Sequence, residues 1–226
     1  MHYYDFSHNM LLRTPGEASD EASKDNDAYM RVVHTATKAP HVDLYINDKL
    51  TVPDLRYREF TDYIKLPAGT YNIKVYPKNT KSAPVVDSNI TLTPNTITTY
   101  AIYSQARRLS LYPVKESSLT SPTQGKSKIR IANLIENISP VDIYLSDGTL
   151  LYRNVSYKDI TKYIELSPNT YIIDIKLADT DISMLYAPNM NLRGDNYYTL
   201  YLIGLINDYP EPQMLIPLDG ITYLNP

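Results

Sequence analysis

The sequence predicts an all-β protein made of two tandem antiparallel β-sandwiches behind an N-terminal arm. Three observations predict it. Short runs such as Val42-Asp43-Leu44-Tyr45-Ile46 and Tyr71-Asn72-Ile73-Lys74-Val75-Tyr76 alternate apolar and polar side chains, with Pro, Gly, Asn and Asp between the runs. No stretch carries a helical period. The whole pattern is then written a second time, which is the signature of a duplicated module.

In chain order, residues 1–28 form the arm. Pro15 to Asp27 is polar and acidic and cannot offset its own ordering entropy. The tip differs: Tyr3, Tyr4, Phe6, Met10, Leu11 and Leu12 are more apolar than a solubilising tail needs, which makes them a candidate assembly arm. Residues 29–115 form the first sandwich, with strands at 42–46, 71–76, 90–92, 100–103 and 109–112. Residues 116–127, rich in Ser, Thr, Pro and Gly, read as a linker. Residues 128–218 form the second sandwich and 219–226 a C-terminal tail.

The repeat fixes these boundaries. Arg31-Val32-Val33 matches Arg130-Ile131-Ala132, and Val42 to Ile46 matches Val141 to Leu145. After one inserted residue, Tyr57, Thr61, Tyr63, Ile64, Leu66, Thr70, Tyr71 and Ile73 return as Tyr157, Thr161, Tyr163, Ile164, Leu166, Thr170, Tyr171 and Ile173. The turn Pro67-Ala68-Gly69 becomes Ser167-Pro168-Asn169, an exchange expected of a backbone position with positive φ. Parity places Val42, Leu44, Ile46, Tyr71, Ile73 and Val75 in the first core, and Val141, Ile143, Leu145, Tyr171, Ile173 and Ile175 in the second. The opposite parity of the second copy is also apolar at Ile172 and Leu177, so one face of that sheet is expected to be covered.

Composition narrows the function classes. The net charge of −3 gives no basic footprint for nucleic acid. With no cysteine, thiolate metal sites, disulfides and Cys nucleophiles are excluded. No stretch is long and apolar enough for a membrane span. The start lacks the basic and apolar regions of a signal peptide, so synthesis in the cytoplasm is expected, with deposition on a spore or cell surface as one destination. No Gly-x-Ser-x-Gly elbow or phosphate-cradling loop is present, and no cofactor is expected. His2, Asp5 and His8 crowd the arm without the spacing of a rigid metal site.

Two constellations recur in both copies. Arg31 with Asp43, and Arg130 with Asp142, are expected as structural charge pairs that fix strand register or close a sheet end. Tyr45, Tyr57, Tyr144 and Tyr157 are a candidate aromatic binding surface, since Tyr joins a flat apolar ring to a polar tip. Tyr occurs 22 times against two Phe and no Trp, which suits either strand-forming cores or contact surfaces.

The runs Arg31-Val32-Val33-His34-Thr35-Ala36, Ala39-Pro40-His41-Val42-Asp43-Leu44-Tyr45 and Tyr63-Ile64-Lys65-Leu66-Pro67-Ala68-Gly69-Thr70-Tyr71 resemble the bacterial repeats called domain of unknown function family 4397. The second copy departs from the pattern where His34 becomes Asn133 and in its Ser167-Pro168-Asn169 turn. The resemblance implies Ig-like/transthyretin-like sandwiches and no established activity. A non-enzymatic structural or assembly protein of a bacterial envelope or spore surface is therefore expected, with self-association or another envelope or spore protein as partner. The alternative is a module whose Tyr-rich loops bind a glycan or a protein.

Overall fold

The computed structural model describes residues 26–105, 108–117 and 120–224. The arm residues Tyr3, Tyr4, Phe6, Met10, Leu11 and Leu12 lie outside the described residues. The first half has strands β1 (Asp27–His34), β2 (Val42–Ile46), β3 (Lys49–Leu55), β4 (Ile64–Pro67), β5 (Gly69–Pro77), β6 (Val86–Leu92), β7 (Ile97–Gln105) and β8 (Arg108–Lys115). The second has β9 (Ser127–Asn133), β10 (Val141–Leu145), β11 (Leu150–Val155), β12 (Ile164–Leu166), β13 (Asn169–Leu177), β14 (Ser183–Leu192), β15 (Tyr197–Ile203) and β16 (Gln213–Leu215). Each half is a sandwich of two four-stranded sheets: β4-β1-β7-β8 over β3-β2-β5-β6, and β12-β9-β15-β16 over β11-β10-β13-β14. The pairing is antiparallel except that β1 lies parallel to β7 and β9 parallel to β15. Those two pairings close across the whole module, so no short turn dictates their direction.

The duplication extends to the backbone. Left-handed residues recur in register at Asp54 and Asn154, Arg58 and Lys158, Asn79 and Asp179, and Asn95 and Asp195. The one inserted residue sits in the β2–β3 hairpin. The first copy turns through Asn47 and Asp48, both at positive φ; the second uses Ser146-Asp147-Gly148, with Gly148 at φ 87°. The Gly69-to-Asn169 exchange has a different cause from the one expected, because neither residue is left-handed; both begin strands. The turn is held instead by the repeated tyrosine, whose hydroxyl donates to Pro67 O in one copy (2.8 Å) and Ser167 O in the other (2.9 Å).

Both cores follow the predicted parity. Val42, Leu44, Ile46, Ile73 and Val75 are buried in the first, and Val141, Ile143, Leu145, Ile173 and Ile175 in the second. The expected covered sheet face is elsewhere, however. Ile172 and Leu177 are half-buried on the outer sheet, whereas β9 and β15 are buried on both faces, as is β1 from Arg31 onward. The β1-containing sheet of one half packs against the β9-containing sheet of the other. Val33, Ala101, Val114, Ala132, Leu134, Tyr201 and Ile203 form a third core between them. The protein is thus four sheets deep, and the central strands of its inner two sheets have almost no solvent face.

Candidate functional site

At the centre of this joint the two copies bring the same residues together about a local two-fold. Arg31 Nε donates to Thr99 Oγ1 (2.8 Å), and Arg130 Nε to Thr199 Oγ1 (2.9 Å). Thr99 passes its proton toward Glu116 (2.7 Å), as Thr199 does toward Asp219 (2.7 Å). Tyr63 donates to Glu116 (2.5 Å) and Tyr163 to Asp219 (2.6 Å). Each guanidinium then crosses the joint. Arg31 Nη1 donates to Leu218 O (3.1 Å) and Arg130 Nη1 to Lys115 O (2.9 Å), the carbonyls just before the opposite copy's carboxylate. Arg31 Nη2 lies 3.5 Å from Glu116 and 3.6 Å from Asp219. The Arg31 and Arg130 planes also sit over the Tyr63 and Tyr163 rings, 4.5 Å from each centroid.

The charges balance, two arginines against two carboxylates, which is the condition for holding them out of water. Burial, and then repulsion from Glu116, push the Asp219 carboxyl up to about 6. Burial also raises the Tyr63, Tyr163 and Tyr201 hydroxyls well above the ordinary phenol range, so all three are neutral, and Tyr63 and Tyr163 donate to the carboxylates.

The tail completes the lock. Gly220 N donates to Glu116 Oε2 (2.6 Å) and Tyr63 OH (2.9 Å). A Cβ there would lie 2.8 Å from Tyr63 Cζ and 3.1 Å from Ile97 Cγ2, so only glycine fits. Residues 219–224 therefore belong to the joint, and Glu116, assigned to the linker by composition, is one of its buried charges.

The predicted charge pairs do not form. Arg31 and Asp43 lie on different sheets, as do Arg130 and Asp142. Asp43 accepts from Asp54 N (2.9 Å) and Asn79 N (3.0 Å), and Asp142 from Asn154 N (2.7 Å). These carboxylates satisfy backbone donors at left-handed kinks, a local need that paired each of them with a turn rather than with the arginine.

The four predicted tyrosines do not form one surface either. Tyr45 is buried edge-on to Tyr76, with Lys81 over its ring, and Tyr144 lies under Lys176 on the outer sheet. Tyr57 and Tyr157 face the joint. Tyr157 OH donates to Ser104 O (3.1 Å), while burial pushes the Tyr57 hydroxyl up to about 12. His34 is wholly buried, its Nε2 3.1 Å from Pro40 O, and burial lowers its pKa. Asn133 fills the same place with hydrogen bonds to Val155 O and from Ile135 N. Among the described residues no group of three His, Asp or Glu side chains is arranged to hold a metal ion.

The second copy carries an exposed apolar cluster. Ile182, Tyr186 and Tyr209 stand 58%, 56% and 79% exposed around an open groove of about 830 Å³ between β14 and residues 206–212. Sequence reading missed these residues. Repeat alignment also stopped before Thr99/Thr199, and extending it would have led to Glu116 and Asp219.

Comparison with known proteins identifies the family. The profile of the family described as Domain of unknown function (DUF4397) matches residues 28–144 and again 128–217. No curated protein matches the chain. Among solved structures, the Bacillus anthracis TIE protein is 10% identical, with 80% of this chain and 34% of that one covered at a TM-score of 0.27. The family CBM26 module CBMbc of Eubacterium rectale Amy13K, in complex with maltoheptaose, is 11% identical, with 86% and 98% covered at 0.27. A leucine-rich repeat protein from Bacteroides thetaiotaomicron is 14% identical, with 77% and 26% covered at 0.21. This chain spans about a third of the first and a quarter of the third. On the two profile matches and the two corresponding sets of strands and kinks, the chain is a member of the DUF4397 family that carries two copies of its domain.

Proposed function

We propose that the chain is a non-catalytic structural block of a bacterial envelope or spore-surface layer. The observation that carries this reading is the place of its most concentrated ionisable chemistry. Arg31, Arg130, Glu116, Asp219, Tyr63 and Tyr163 are linked through Thr99, Thr199, Lys115 O and Leu218 O between the two sandwiches, where they tie the halves together. Two sandwiches joined this way form a stiff unit, which suits a building block better than a hinged enzyme. Assembly falls to the N-terminal arm, whose apolar tip from Tyr3 to Leu12 follows from the sequence and adds to a sheet edge of a neighbouring copy. Sedimentation velocity tests it: the full chain self-associates, and a chain lacking residues 1–25, with β1 intact, sediments as a monomer. Identical sedimentation of the two contradicts the assembly role.

A further inference from the structure

The two copies are alike through most of their length, so the places where the second departs from the first stand out. Two departures converge on one groove. In the first copy β5 and β6 pair without interruption. In the second, the β13–β14 ladder slips twice, and β14 carries Pro188 and a left-handed Asn189. In the first copy β7 and β8 stay paired down to Gln105 and Arg108. In the second, residues 204–212 intervene between β15 and β16.

That inserted loop is held in one shape. Gly204, at φ 106°, lies so close to the backbone of Glu211 and Pro212 that a Cβ would overlap it. Asn137 brackets the loop from below, accepting from Ile206 N (2.9 Å) and donating to Ile206 O (2.9 Å). Leu205 N donates to Pro210 O (2.9 Å), and Lys38 of the first sandwich pairs with Asp208 at 2.5 Å. The loop so fixed displays Tyr209 with 79% of its surface in water, across the groove from Tyr186. A ring held out of the core gains the fold little burial, while the fixed loop lowers the entropy cost of binding something to that ring.

We propose that this groove is a binding site for a neutral glycan. Pyranose rings offer apolar C–H faces that stack on flat aromatic rings, and the Tyr186 and Tyr209 rings stand at the rim for that contact. Sugar hydroxyls need acceptors, and Asp208 and Glu211 line the groove with carboxylates while Asn207 adds an amide. Lys38, donating to it, keeps the Asp208 carboxyl below its ordinary range and therefore ionised and accepting. Those carboxylates repel an anionic polymer, so the sugar is uncharged. A peptide adding as a strand fits less well, because the slips in β14 and the missing N–H of Pro188 break the ladder it would extend. The groove is lined from within residues 182–186 and 206–212.

Native affinity electrophoresis tests the proposal with the full chain. The gels contain starch, galactomannan, xyloglucan or mixed-linkage β-glucan as neutral probes, and alginate or polygalacturonate as anionic ones. At least one neutral gel retards the protein and neither anionic gel does. Tyr209→Ala and Tyr186→Ala weaken the retardation on the order of tenfold, with no change in melting temperature for the more exposed Tyr209; Tyr209→Phe keeps the ring and the binding. The proposal is overturned if no neutral gel retards the chain, if retention is confined to the anionic gels, or if both alanine variants bind as the parent does. A peptide library that yields ligands sensitive to Tyr186→Ala, with no retardation in neutral gels, overturns it in favour of a peptide groove.

Discussion

Replacing Arg31 by Met should be among the most damaging single changes in the protein, and its size follows from the joint. The side chain is 6% exposed and has four kinds of partner: Thr99 Oγ1 at 2.8 Å, Leu218 O at 3.1 Å, the Glu116 and Asp219 carboxylates at 3.5 and 3.6 Å, and the Tyr63 and Phe60 rings at 4.5 and 4.8 Å. Met keeps the aliphatic stem and removes the charge, leaving two buried carboxylates to share Arg130. Breaking a buried pair in this way costs about 3–5 kcal/mol. For a chain of this size that corresponds to a fall of roughly 6–20 °C in melting temperature. Far-UV circular dichroism and tyrosine fluorescence during urea unfolding measure it directly, with no Trp to interfere. Adding Glu116→Gln to Arg31→Met should return about 2 kcal/mol, since the second change removes the charge that the first left unpaired and its amide oxygen still accepts from Gly220 N. A loss below about 1 kcal/mol for Arg31→Met, or a double variant no better than the sum of the singles, refutes the reasoning.

Three further outcomes follow from named contacts. Gly220→Ala should cost about 1–3 kcal/mol by forcing Tyr63 and Ile97 apart, and limited proteolysis should then release the C-terminal residues first. The Asp219 carboxyl has a folded pKa near 6, above the unfolded value near 3.9, so the folded state holds its proton more tightly between those limits. Its contribution is fully present below about pH 4 and is lost as the pH rises through 6; urea midpoints from pH 7 down to 5 should rise for the parent relative to Asp219→Asn, and a constant difference would refute this. Asp43→Asn should destabilise the fold by about 1–3 kcal/mol, read as a lower melting temperature, because one of the two carboxylate oxygens that accept separately from Asp54 N and Asn79 N becomes a donor, while Asp43→Ala should do no less.

Much of the fold was legible because it is local. Alternation along Val42 to Ile46 and Tyr71 to Val75 carries the face each side chain takes, and the repeat carries it twice. The joint was not legible, because its partners are far apart in sequence. Arg31 finds Thr99 sixty-eight residues on and Leu218 a further copy away. Asp43 is the nearer acidic residue and recurs with it, so recurrence suggested a pair that sheet topology forbids. Tyr57 and Tyr157 illustrate the same difficulty: the sequence marks them as repeated and aromatic, and only the packing of one sandwich on the other turns them inward. The copy-two loop was hidden for the opposite reason, since it lies where the repeat fails and matching residues run out.

The absence of cysteine allows the central claim, that the two sandwiches are held as one unit by the buried joint, to be measured without background labelling. Leu50 and Leu150 are exposed on β3 and β11, one on each sandwich. With spin labels on cysteines at both positions, double electron–electron resonance should give a single narrow distance distribution that broadens when Arg31→Met is added. A broad or bimodal distribution in the parent protein would mean that the halves move independently, and the account of the joint would be wrong.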